Sequence, residues 1–172
     1  MQRPVVLVGF MATGKSKIGR ILAERLKLQF VDSDKMIEDR FGLSVAEIFS
    51  DHGEAAFRSA ERETIADLMT GDARIVALGG GAFVDPETRD LLGRVSRVVW
   101  LDTPFDLLWP RLTRSDKRPL AANRSEADLR ALCEQRRQYY VQAHIRIDCS
   151  SDRPEDTVHQ ILDALDALDA PP

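Results

Sequence analysis

Residues Gly9 to Ser16 read GFMATGKS, and no other stretch constrains the fold as strongly. The octet is a full GxxxxGK[ST] match. It directly follows the apolar run Pro4 to Val8 and directly precedes apolar Ile18, Ile21, Leu22 and Leu26 at helical spacing. Strand, glycine turn and helix in that order make an anion cradle. Gly9 and Gly14 let the backbone turn and approach closely, successive N–H groups point inward, and the helix N-terminus adds partial positive charge. In such a cradle Lys15 reaches the β- and γ-phosphates of a nucleotide, and the Ser16 hydroxyl sits on Mg2+.

The run before the loop is β-branched and apolar on both faces, the pattern of a strand buried in mid-sheet. Similar runs at Gln29 to Val31, Arg74 to Leu78, Val95 to Leu101 and His144 to Asp148 are each followed by helical periodicity. Five strands alternating with helices predict a doubly wound α/β domain. A chain of 172 residues, 44% of them hydrophobic, suits one such domain with a self-sufficient core. Asp85-Pro86 and Thr103-Pro104 each read as an N-cap followed by proline at the first helical position, and Ser125 with Asp128 reads as a capping box. The tail LDALDALDA predicts a final amphipathic helix with Leu162, Leu165 and Leu168 along one side. The longest stretch without periodicity, Thr113 to Arg124, carries Arg114, Lys117, Arg118 and Arg124, which suits a lid over phosphate as well as it suits a solvated loop.

A net charge of -4 argues against a general nucleic-acid binder. Only Lys15, Lys17, Lys27, Lys35 and Lys117 among the 24 cations are lysines, and the arginine excess favours planar, bidentate recognition of carboxylate or phosphate. Cys133 and Cys149 are far apart and in no metal-ligand spacing, which reads as two buried thiols in a reducing cytoplasm. The apolar run near the N-terminus has no small-residue cleavage site after it, and no stretch approaches the ~20 residues needed to span a bilayer. No membrane or nucleic-acid partner is expected.

A second Mg2+ contact normally comes from an acid at the end of a neighbouring strand, and two positions compete. Asp102 ends VVWLD but runs into Thr103-Pro104 and a helix start, so Asp32 of FVDSD (30–34) is favoured. Alternate residues of an extended chain face the same way. Asp32 and Asp34 are therefore expected to point together into the site, one toward metal and the other toward an acceptor hydroxyl.

Beyond the phosphate loop come FVDSD, GEAAFRSAERE (53–63), ALGGGAF (77–83), RPL (118–120) and RRQYY (136–140), in that order. With GFMATGKSKIGR (9–20) they resemble the shikimate kinase family from residue 9 to about 140. The resemblance implies a three-layer P-loop kinase fold within a single domain, 1–172. It has a central five-stranded parallel sheet, a helical substrate-binding region at about 33–62 and a mobile lid at about 113–124. It also implies transfer of the γ-phosphoryl of ATP, with Mg2+, to the 3-hydroxyl of shikimate, on the route to chorismate and aromatic amino acids, by a cytoplasmic monomer.

Carried across by position, Asp34 resembles the residue that holds the ring hydroxyls and orients or deprotonates the attacking one, while Asp32 and Ser16 resemble the metal contacts. Arg58 and Arg136 resemble a carboxylate clamp, with Glu61 placed to hold Arg58 on one helix face. Gly79, Gly80 and Gly81 resemble the acceptor loop, where consecutive glycines leave backbone amides open to close approach. Phe49 and Phe57 resemble its apolar walls. Ala12, Thr13, Gly14, Lys15, Ser16 and Lys17 resemble the phosphate grip, and Arg111 and the segment Arg153-Pro154 resemble the adenine-flanking positions. Arg118 resembles a lid arginine that joins Lys15 and Asp34 as a catalytic residue.

Ala12 and Thr13 stand where glycine and alanine are common in the family, and Lys17 where threonine is frequent; the expected effect is confined to the helix start. His144 stands where the family often has aspartate, and it is assigned no role. Arg136 is preferred over adjacent Arg137 because its spacing to Tyr140 fits. Other P-loop kinases, for gluconate or nucleoside monophosphates, compete; a nucleotide acceptor would call for a DG-Pro-Arg type of segment where ALGGGAF stands. A nucleotide-dependent switch would call for NKxD, which Asn123-Arg124-Ser125-Glu126 does not supply.

Overall fold

The computed structural model describes residues 3–114, 124–150 and 153–170. Five parallel strands form one sheet in the order β2-β3-β1-β4-β5, where β1 is Val5–Val8, β2 Gln29–Asp32, β3 Arg74–Ala77, β4 Arg97–Asp102 and β5 Ile145–Asp148. The central strand β1 runs into the phosphate loop and then into α1, Lys15–Leu26. Every residue of β1 is buried, because the sheet is covered on both faces.

Side-chain alternation sorts the strands into two cores. Val6, Val8, Val76, Val98 and Trp100 pack against α4 (Gly53–Leu68), α5 (Pro86–Val95), α6 (Phe105–Thr113) and α7 (Glu126–Tyr140). Val5, Leu7, Ile75, Val99 and Leu101 face the other way, onto α1 and α8 (Pro154–Asp169). Helix, sheet and helix make the three layers expected. A third, smaller cluster of Ile37, Ile48, Phe57 and Ala60 knits α2 (Ser33–Phe41), α3 (Val45–Asp51) and α4 into a helical flank beside the sheet.

Asp85 caps α5 ahead of Pro86, and Ser125 with Asp128 forms the capping box of α7. Thr103-Pro104 behaves differently: Pro104 is itself the N-cap and the helix starts at Phe105. The last helix turns Val158, Ile161 and Leu165 inward and leaves Leu168 exposed. Leucines three apart drift by about 60° per step around a helix of 3.6 residues per turn, so the Leu162, Leu165, Leu168 row cannot stay on one buried face. Most of the lid expected at 113–124, Lys117 and Arg118 included, lies outside the described residues. No helix among the described residues is long and apolar enough to cross a membrane.

Candidate active site

The phosphate loop is held by backbone conformations open mainly to glycine. Gly9 has φ 145°, Gly14 φ 90°, and a Cβ at Gly9 would lie 2.8 Å from the Leu101 carbonyl oxygen. Ala12 also takes a left-handed conformation, φ 67°. Its replacement of glycine therefore strains the loop itself and is not a matter of the helix start alone. Lys15 Nζ arches over the loop and donates to the carbonyls of Gly9 at 2.9 Å and Phe10 at 3.0 Å.

Ser16 Oγ donates to Asp32 Oδ2 at 2.6 Å. The other carboxylate oxygen of Asp32 caps α2, accepting from the Asp34 and Lys35 amides. Asp102 is occupied elsewhere: both its oxygens are taken by Arg137 and Arg146, with Arg137 Nη1 at 2.6 Å and Arg146 Nη2 at 2.6 Å. Its role is an ion-pair hub and not a helix cap, which leaves Ser16 and Asp32 as the oxygen pair beside the loop.

The rule of alternation does not apply to Asp34, because the strand ends at Asp32 and Asp34 lies in the first turn of α2. The helix turn, not the strand, aims it across the cleft at Gly79, where a Cβ would collide with its carboxylate. Gly79 N–H is fixed by Ser33 Oγ at 3.2 Å. Asp34 Oδ1 is buried without a hydrogen-bond partner. Burial, reinforced by Glu61 and Asp32 and opposed by Lys15, pushes its pKa from 3.8 up to about 6. A carboxyl poised near neutrality in a cleft suits a general base.

Two arginines face the triple glycine from opposite helices. Arg58 Nη1 donates to Glu61 Oε2 at 2.6 Å, and the Glu61 side chain is only 4% exposed. Burial pushes the Glu61 pKa up while the guanidinium pulls it back. Arg58 also lies over the Phe57 ring, 5.3 Å from its centroid, and a Cβ at Gly81 would come within 3.0 Å of its Nη2. From α7, Arg136 Nη1 donates to the Gly80 carbonyl at 3.0 Å. Arg58, Gly81 and Arg136 line one cleft, with Arg137 turned away to Asp102. Phe57 is buried in the helical flank and Phe49 is half-buried beside it, their rings 4.7 Å apart; they support Arg58 from below.

Two groups, one in the core behind this cleft and one lining it, have only weak sequence signals. Tyr140 hydroxyl donates to the Gly80 carbonyl at 2.7 Å, and its i+4 spacing from Arg136 was the available clue. Arg62 lines the cleft one turn beyond Arg58. A second pocket, on the far side of the phosphate loop, brings together Ala12, Thr13, Gly14, Lys17, Arg111 and Cys149. Arg111 Nη1 donates to the Ala12 carbonyl at 3.3 Å, and Pro154, next to Arg153, completes the rim. Burial pushes the Cys149 thiol up to about 11, so it serves as a wall and not as a nucleophile. His144 lies outside both pockets: its Nδ1 accepts the Val98 N–H at 2.9 Å and its Nε2 lies 3.1 Å from the Gly93 carbonyl, tying β4 to α5.

A family model described as shikimate kinase matches residues 11–166. A protein of Paramagnetospirillum magneticum named shikimate kinase is 42% identical over 164 residues, covering 95% of this chain and 84% of its own. The solved shikimate kinase of Acinetobacter baumannii in complex with shikimate superposes with a TM-score of 0.93 at 34% identity, covering 99% of this chain and 97% of its own. A gluconokinase of Sinorhizobium meliloti shares the fold alone, with a TM-score of 0.58 at 15% identity over 96% of this chain and 93% of its own. A family model matched over residues 11–166 and a relative 42% identical over 95% of the chain mean that the chain belongs to the shikimate kinase family.

Proposed function

We propose that the chain transfers the γ-phosphoryl group of ATP to the 3-hydroxyl of shikimate, in the cytoplasm, on the route to chorismate. The observation that carries this reading is the position of Asp34. It stands between a phosphate cradle bearing Lys15 and an acceptor cleft bearing Arg58 and Arg136, with its carboxyl held near neutrality. Two guanidinium groups on either side of Gly79 to Gly81 suit the single carboxylate of a small polyol acid, which they fix with directional, charge-assisted bonds. With that handle clamped, a ring hydroxyl can face Asp34, which accepts its proton as the hydroxyl attacks phosphorus.

The donor set beside the loop fits Mg2+. Ser16 hydroxyl and Asp32 carboxylate are hard oxygen donors already 2.6 Å apart, and Mg2+ is commonly held by one or two carboxylates with phosphate and water filling the rest of its shell. When bound, the ion neutralises charge on the phosphate oxygens. Lys15 holds the transferring phosphate, α1 directs its N-terminus at it, and Arg111 with the Ala12 to Lys17 backbone grips the nucleotide. Within this reading residues 33–62 bind the acceptor.

A coupled ADP-release assay across shikimate, quinate, gluconate and nucleoside monophosphates tests the assignment. Shikimate is expected to give the highest kcat/KM by at least about tenfold, because the competing acids keep the anionic handle but misplace the hydroxyl that faces Asp34. A clear preference for another acceptor overturns it.

A further inference from the structure

We propose that Asp102 is a positioning residue for acceptor binding: it draws Arg137 to one flank of α7 and so directs Arg136 toward the triple glycine. The proposal rests on the reading of Arg136 as a carboxylate clamp.

Consecutive residues on an α-helix project about 100° apart, so Arg136 and Arg137 cannot share a face, and two identical side chains carry no local preference for which turns inward. Asp102 breaks the tie. It stands at the C-terminal end of β4 with its side chain only 10% exposed. Arg137 donates to it with Nη1 at 2.6 Å and Nη2 at 3.2 Å, and Arg146 with Nε at 2.8 Å. Both guanidinium groups also lie over the Trp100 ring, 5.0 and 5.1 Å from its centroid. A forked contact of this kind sets direction as well as distance.

On the other flank Arg136 reaches the Gly80 carbonyl at 3.0 Å and lies over Phe10 of the phosphate loop, 5.5 Å from the ring centroid. Tyr140, one turn on, holds the same carbonyl. The last turns of α7 are therefore pinned on both sides, Asp102 on one and Gly80 on the other. Parallel pairing of β4 with β1, Trp100 beside Val8, puts Asp102 at the same end of the sheet as the phosphate loop. An apolar side chain would fill the space as well; only a carboxylate aims two guanidinium groups.

Asp102→Asn, Arg137→Met and their double variant test this on the full chain, with shikimate binding measured by calorimetry and KM measured for both substrates. Arg137→Met leaves Asp102 paired with Arg146, so it reports even if Asp102→Asn folds poorly. Each single variant is expected to weaken shikimate binding about tenfold, or about 1.4 kcal/mol. The KM for ATP should stay within about twofold, and the double variant should be no worse than the worse single one, as for residues acting as a unit. Arg137→Lys, which keeps the charge and loses the fork, should fall between. Equal losses for both substrates, or a lowered Tm with unchanged shikimate binding, would mean that the pair merely stabilises the fold and would overturn the proposal. Failure of the unmodified chain to bind shikimate would overturn the acceptor reading and this proposal together.

Discussion

Replacing Asp34 with asparagine is expected to raise stability while removing activity, and the size of both effects follows from the surroundings of the carboxyl. One of its oxygens is buried without a hydrogen-bond partner, and burial with Glu61 and Asp32 nearby lifts its pKa from 3.8 to about 6. The folded state thus holds the proton more tightly than the unfolded chain. Stability contributed by the protonated form is complete at low pH and is lost as pH rises through about 6. A shift of this size corresponds to at most ~3 kcal/mol at neutral pH, of which the N-terminal dipole of α2 offsets ~0.3–1 kcal/mol. The neutral asparagine escapes a net penalty of about 2 kcal/mol, or a Tm rise of roughly 4–8 °C in a domain of this size. Thermal melts near pH 7.5 and near pH 4.5 check the sign, because by the lower pH the ionisation penalty of the parent chain has fallen to about a third. Turnover is expected to drop about 10²- to 10⁴-fold, the usual contribution of a general base. A variant less stable than the parent at pH 7.5, or a stability gap of the same size at both pH values, would refute the idea that the carboxyl is held ionised at a cost. Near-normal turnover would remove it from catalysis.

Two further substitutions probe the same loops. Gly79→Ala drives a methyl group into the Asp34 carboxylate and is expected to lower kcat about 10²-fold through misplacement, with the KM for ATP nearly unchanged; steady-state kinetics with both substrates varied would show it. Ala12→Gly relieves a left-handed alanine worth ~1 kcal/mol of strain, so melting should move up by about 2–4 °C, and a lowered Tm would mean that the loop is not strained there.

The β1, loop and α1 unit was fully legible because local rules coincide in it: an apolar run, a glycine turn and a 3.6-residue period lie end to end. The caps at Asp85 and Ser125 were legible for the same reason, each being decided within four residues. The doublet in FVDSD marks Asp34 as functional, but its alternate spacing suits an extended strand that Asp34 does not occupy. A single residue past β2 the chain turns helical, and nothing in FVDSD marks that the change of period falls between Asp32 and Asp34. The leucine row of the tail misled in a related way. Its three-residue spacing looks regular in the sequence, whereas the core selects the tighter arc of Val158, Ile161 and Leu165.

By itself the sequence determined the sheet-and-helix alternation, the phosphate cradle and the cast of arginines, carboxylates and glycines, because residue type, local period and motif order are properties of short stretches. Only the tertiary structure decided that Asp34 meets Gly79, that Arg136 and not Arg137 faces the triple glycine, and that Asp102 serves arginines in place of metal. Those outcomes depend on contacts between residues 35 to 56 positions apart, and the chain can compare such partners only once the sheet has set its strands side by side.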